Sequence, residues 1–216
     1  ADCAHSTIVS VNNSLFCNGI LKFGTEAQKQ LYVRAIAEGR EIGAFALTEP
    51  QSGSDATAMR CRATRQPDGT YVINGKKSWI TSGPVAKYIV LFAMTDPDKG
   101  ARGITAFMVD TARAGFHRGK TEPKLGIRAS ATCEIEFQDY VASADEVLGE
   151  DGHGFEIAGQ NFLLPTDVPA ATEGQEELVR DASILADRII ERLQNRKVRT
   201  AILVFDACRN NPFERS

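Results

Sequence analysis

Hydrophobic residues along this chain follow first a helical period and then a strand period. Residues 4–22 set Ile8, Val9, Val11, Leu15, Ile20 and Leu21 among small residues, with Gly19 near the end, which predicts a buried helix. Residues 25–38 predict a second helix more sharply. Thr25 followed three positions later by Gln28 is a capping-box pattern, Ala27, Leu31 and Ala35 recur at helical spacing, and Gly39 stands where a C-cap belongs. From about residue 41 the period shortens. Ala44-Phe45-Ala46-Leu47 reads as a strand that Pro50 must end or edge. Pro67-Asp68-Gly69 reads as a turn, residues 71–73 as a short strand, and Asn74-Gly75 as a hairpin turn. Residues 88–94 and 103–109 are strand-like around a loop at 96–100. Cys133, Ile135 and Phe137 alternate with Glu134 and Glu136, as in a half-buried strand. Many short strands separated by turns predict a small β-barrel or sandwich.

After about residue 150 the pattern changes again. Residues 173–196 predict an amphipathic helix with Leu178, Ala182, Leu185, Ile189 and Leu193 on one stripe. The apolar run 201–205 then reads as a strand buried on both faces of a parallel sheet. The predicted fold class is therefore mixed α and β: short N-terminal helices, a β-barrel over 41–150, and an α/β piece from 151 to 216.

Composition narrows the function classes. With 25 basic and 28 acidic residues the net charge is −3, which argues against nucleic acid or a membrane surface as partner. The longest apolar runs, such as residues 88–94, are too short to cross a bilayer. No basic n-region with an apolar h-region opens the chain, so no secretion signal is expected. Five scattered cysteines, with no Cys-x-x-Cys pair, predict a reducing, cytoplasmic setting. No P-loop or metal-ligand cluster is present, and Gly152-x-Gly154 lacks the third glycine of a dinucleotide fingerprint. The chain opens without Met inside a predicted helix, which reads as a piece of something larger.

Three motifs then carry a specific resemblance. Phe45-Ala46-Leu47-Thr48-Glu49-Pro50-Gln51-Ser52-Gly53-Ser54-Asp55, Trp79-Ile80-Thr81-Ser82-Gly83 and Leu125-Gly126-Ile127-Arg128-Ala129-Ser130 occur in order. Together they closely resemble signatures of the middle domain of the acyl-CoA dehydrogenase family. Taken singly, Trp79 would read as a core aromatic and Thr48 and Thr81 as plain strand threonines; their order and spacing override those readings. The resemblance implies FAD as cofactor, an acyl-CoA thioester as substrate, and α,β-desaturation as the reaction. It assigns flavin contacts to Phe45, Ala46, Leu47, Thr48, Gly53, Ser54, Trp79, Ile80 and Thr81, with Ser54 also contacting the acyl-CoA. The protein's task with such a cofactor is positioning and electronic tuning. Full-length members of the family are usually homo-oligomers. Residues 1–40 correspond to the end of the family's N-terminal helical domain and 41–150 to its middle β-domain. The family's glutamate base belongs to a C-terminal helical domain, expected to be missing here, so the piece is expected to be inactive alone.

From Gly152 onward a second resemblance begins. Gly152-His153-Gly154, Gln160-Asn161-Phe162-Leu163-Leu164-Pro165-Thr166-Asp167 and Asp206-Ala207-Cys208-Arg209-Asn210-Asn211-Pro212-Phe213 resemble the caspase-like peptidase domain of bacterial metacaspase relatives. His153 and Cys208, 55 positions apart, would form its dyad, the thiolate as nucleophile and the imidazole as proton carrier. By resemblance Asp206 would receive a basic P1 side chain. The first strands of such a domain are absent, so no peptidase activity is expected. Residues 152–159 fit both families, which marks a crossover compatible with a natural fusion, an engineered chimera or a joining artefact. A non-functional remnant is the remaining alternative.

Overall fold

The computed structural model describes residues 3–53 and 55–159. Helix α1 (Cys3–Ser10) passes through a π-helical stretch (Val11–Cys17) into α2 (Asn18–Phe23), so the predicted helix is present, but of its expected buried set only Ile20 is enclosed, and Val9 and Leu21 are exposed. Thr25 then restarts the helix with the expected capping box. Its hydroxyl accepts from Gln28 N at 3.2 Å while Gln28 Oε1 accepts from Thr25 N at 3.0 Å. Short helices α3 (Glu26–Gln28) and α4 (Arg34–Ala37) flank a π-helical turn (Lys29–Val33). Gly39, at φ 68°, closes this segment in a Schellman motif, with Arg40 N bonded to Ala35 O and Gly39 N to Ile36 O. The amide of Gln28 also donates to the carbonyls of Asp145 and Val147, both at 2.9 Å, so the capping residue fastens the helices to the end of the sheet.

Among the described residues eight strands form one sheet: β1 (Gly43–Ala46), β2 (Arg62–Arg65), β3 (Tyr71–Thr81), β4 (Tyr88–Met94), β5 (Ile104–Asp110), β6 (Phe116–Thr121), β7 (Thr132–Ala142) and β8 (Val147–Leu148). The order is β6-β7-β3-β2-β4-β5-β8, and β1 lies parallel on β4. The sheet rolls toward itself. Tyr71 on β3 meets Phe107 on β5 with ring centroids 5.0 Å apart, although β2 and β4 lie between their strands. The hydroxyl of Tyr140 on β7 likewise accepts from Asp110 N at 3.1 Å.

Strands β4 and β5 face two cores. Ile89, Leu91, Ala93, Phe107 and Val109 point into the roll with Ile73, Ile80, Cys133 and Phe137. Their neighbours Val90, Phe92, Met94, Ala106 and Met108 pack outward against Phe16, Ile20 and Tyr32 of the helices and Ile157 of α5 (Gly154–Gly159). Burial on both faces explains why residues 88–94 show no polar alternation. No described helix is long and apolar enough to cross a membrane.

One predicted turn is absent. Asn74-Gly75 lies inside the continuous strand β3, not at a hairpin tip. The side chain of Asn74 instead clasps Asp139 of β7 by two bonds of 3.0 and 2.9 Å, and the register slips between Ile73 and Gly75 as a bulge. Gly75 adopts φ 145°, and a Cβ on it would lie 2.6 Å from Cys61 Cα, so close strand approach explains this glycine. The β2–β3 turn is the predicted Pro67-Asp68-Gly69, where Gly69 takes φ 86° and Asp68 accepts from both the amide and the hydroxyl of Thr70. Asp206, Cys208 and the helix and strand expected over 173–205 lie outside the described residues.

Candidate functional site

The first and second motifs meet at one edge of the sheet, where β1 runs on beyond Ala46 and crosses beside β3. The carbonyl of Thr48 accepts from Ser78 N at 2.9 Å, and the carbonyl of Leu47 accepts from Lys77 Nζ at 2.9 Å. Beneath this crossing lies a fully enclosed ion pair. Lys77 Nζ is 2.7 Å from Glu49 Oε1, with side chains 0% and 2% exposed. The Glu49 carboxylate also accepts from Arg60 N, Cys61 N and the Gln51 amide at 2.6, 3.0 and 2.6 Å. Burial by itself would raise its pKa. The Lys77 ammonium and the backbone donors outweigh that effect and hold it below the ordinary carboxylate value.

Directly after Lys77 the strand is forced out of register. Two residues of β3, Ser78 and Trp79, stand opposite one of β7 between the pairs Lys77–Ile135 and Ile80–Cys133. Trp79 takes φ 62°, and its indole is 64% exposed. A bulky aromatic in left-handed backbone costs on the order of 1–3 kcal/mol and persists only when its surroundings over-determine it. Here Ser78 supplies the restraint: its amide binds Thr48 O, and its buried hydroxyl donates to Glu134 Oε1 at 3.0 Å. Ser82, also left-handed at φ 64°, binds Ala131 O through its amide at 2.8 Å and so brings the third motif to the same end of the sheet. In that loop Lys124 Nζ donates to Ser130 O and to Thr132 Oγ1, while Leu125 is 99% exposed.

The predicted site residues therefore fall into distinct groups. Leu47, Thr48, Trp79 and Thr81 gather at this edge, half-buried or exposed. Ala46 and Ile80 point into the sheet interior and offer only backbone to a ligand. Phe45 packs on Phe92, centroids 4.9 Å apart, and faces the helices. Gly53 has open space where a Cβ would stand, and Ser54 lies outside the described residues. Trp79 is not the core aromatic that its residue type alone suggests.

His153 sits exposed at the start of α5, its ring nitrogens 3.8 Å from Glu150 and 3.3 Å from Glu156. The glycine after it has a structural reason: a Cβ on Gly154 would lie 2.7 Å from Ala106 N. The buried thiol of Cys61, beside the ion pair, is pushed up to about 11 by burial and is no nucleophile.

Sequence reasoning missed the Lys77–Glu49 pair. Its signal was present: Lys77 shares strand parity with the inward Tyr71 and Ile73, and an ammonium there demands a buried counter-charge. The exposed indole, the left-handed bulge and the hydroxyls of Thr48 and Thr81 suit a planar aromatic ligand with a hydrogen-bonding edge, as a flavin has.

Comparison with known proteins agrees with this architecture. Residues 1–40 match the acyl-CoA dehydrogenase N-terminal domain family and residues 44–140 its middle domain. A short-chain specific acyl-CoA dehydrogenase of Megasphaera elsdenii is 46% identical over 157 residues, covering 73% of this chain and 41% of the relative. The solved butyryl-CoA dehydrogenase of the same organism superposes with TM-score 0.73 at 46% identity, over 74% of this chain and 42% of that one. A solved FAD-dependent dehydrogenase superposes with TM-score 0.71 at 31% identity, over 73% and 42% of the two chains. The chain thus spans about two fifths of the length of the proteins it matches. Residues 1–40 and 44–140 belong to the acyl-CoA dehydrogenase family as its N-terminal and middle domains.

Proposed function

We propose that this chain binds FAD at the edge formed by Leu47–Thr48 and Trp79–Thr81, as the flavin-binding part of a short-chain acyl-CoA dehydrogenase. The observation that carries this is Trp79, held exposed in left-handed backbone beside Thr48 and Thr81 by the bonds of Ser78. A bound flavin would supply the hydride acceptor for α,β-desaturation of the thioester. The chain's own groups would do the rest. The indole of Trp79 covers an apolar ring face, backbone at 45–48 addresses a polar edge, and the hydroxyl of Thr81 orients the reactive end. Ser54 is the proposed thioester contact. The substrate class, short acyl-CoA thioesters, is proposed from the names of the relatives above. The base that takes the α-proton is proposed to come from a C-terminal helical domain of the family.

Trp79 is the only tryptophan in the chain, so its fluorescence reports on the site directly. Titration with FAD is expected to quench it along a saturable curve. A purely linear, collisional decline would sink the proposal.

For residues 151–216 the proposed alternative is a caspase-like cysteine endopeptidase fragment with His153 and Cys208 as dyad, supported by sequence motifs alone. Cleavage of an Arg-ended fluorogenic peptide, lost in Cys208→Ala, would establish it, and no cleavage would count against it.

A further inference from the structure

The Lys77–Glu49 pair is hard to explain as a stabilising element. Two charges taken fully out of water seldom improve on an apolar pair of the same volume. What distinguishes this pair is the set of groups it holds. Lys77 binds the carbonyl of Leu47, and Glu49 binds the amides of Arg60 and Cys61 and the side chain of Gln51. Each contact fixes the backbone that carries the first motif or the segment packed behind it.

Peptide geometry turns this into a statement about direction. A trans peptide is planar, with its C=O and N–H pointing opposite ways. No described peptide bond is cis. Because the Leu47 carbonyl is drawn inward to Lys77 Nζ, the N–H of Thr48 in the same peptide unit points away from the buried pair. The carbonyl of Thr48 is occupied by Ser78 N, which sets the next peptide as well. One ammonium thus selects the face that the 47–48 peptide presents. Glu49 keeps that ammonium seated, with no side chain of the pair exposed.

We infer that Lys77, seated on Glu49, is a positioning residue that turns the Leu47–Thr48 peptide so its N–H serves as a donor to the bound flavin. This rests on the flavin reading above. It assigns to two enclosed residues a role in binding that their burial conceals, and it separates that role from folding.

The test uses the full chain, FAD as probe and Trp79 fluorescence as readout. The double variant Lys77→Met/Glu49→Leu fills the same volume without charge. It is expected to melt cooperatively near the parent temperature yet bind FAD at least tenfold more weakly, because nothing draws the Leu47 carbonyl inward. Lys77→Arg keeps a cation on Glu49 but moves its donor, and is expected to weaken FAD at least threefold while the melt is kept. If either variant folds and binds FAD within twofold of the parent, the pair is structural only and the inference falls. Should the double variant fail to fold, the Lys77→Arg result decides alone. A parent chain without saturable quenching overturns the flavin reading itself, a different result from parent binding that both variants retain.

Discussion

Lys77→Met made alone is expected to destabilise the fold by about 3–5 kcal/mol, because it leaves the Glu49 carboxylate buried without its counter-charge. In a domain of this size that is a fall on the order of 10 °C in melting temperature, measurable by thermal or urea unfolding. Removing both charges should recover most of the loss, since the desolvation cost disappears with the second ion. The pH dependence supplies an independent signature. In the parent, the Glu49 pKa is depressed, so its contribution is complete above the unfolded value of about 4.3 and is lost as pH falls through the lower folded value. In Lys77→Met the same carboxyl is buried with no cation beside it, and its pKa should rise above the unfolded value. The folded form then binds the extra proton, and stability should fall as pH rises from about 4. Between about pH 4.5 and 6 the variant is expected to lose stability while the parent's Glu49 contribution stays level, and below about pH 4 the parent alone is expected to lose it. Parallel slopes would mean that Glu49 finds another partner.

Gly75→Ala should be nearly as damaging, at about 2–5 kcal/mol. The left-handed backbone at φ 145° resists a side chain, and the added methyl would sit 2.6 Å from Cys61 Cα, where backbone must move. Gly69→Ala is the natural control. It also has positive φ, 86°, but open space around its Cβ, so only the strain of about 1 kcal/mol applies. Urea unfolding of the two variants separates strain from overlap. Equal losses would show that the β2–β3 contact at Cys61 yields easily.

Elements whose signals are local were legible. The Thr25–Gln28 box, the Gly39 cap, the 67–69 turn and the β4–β5 hairpin are all set by neighbours within a few residues. Strands β2, β6 and β8 carried no usable pattern. Along β6 only Phe116 is buried, so no alternation marks it, and β2 sends only Ala63 inward. Asn74-Gly75 misled for the opposite reason, because a turn-forming dipeptide was taken up by a bulge and a clasp to Asp139, a partner 65 residues away.

The candidate site divides along the same line. By itself the sequence determined which residue types stand at the proposed flavin edge, in what order, and so the family. Residue types and their spacing survive in the linear chain. Only tertiary structure decided that Trp79 faces outward, that Ala46 and Ile80 offer backbone alone, and that Lys77 and Glu49 lie sealed beneath them. Those outcomes depend on a one-residue bulge and on contacts between segments about 30 positions apart. A single slipped residue reverses which way a strand's side chains point, and no local period records where the slip occurs.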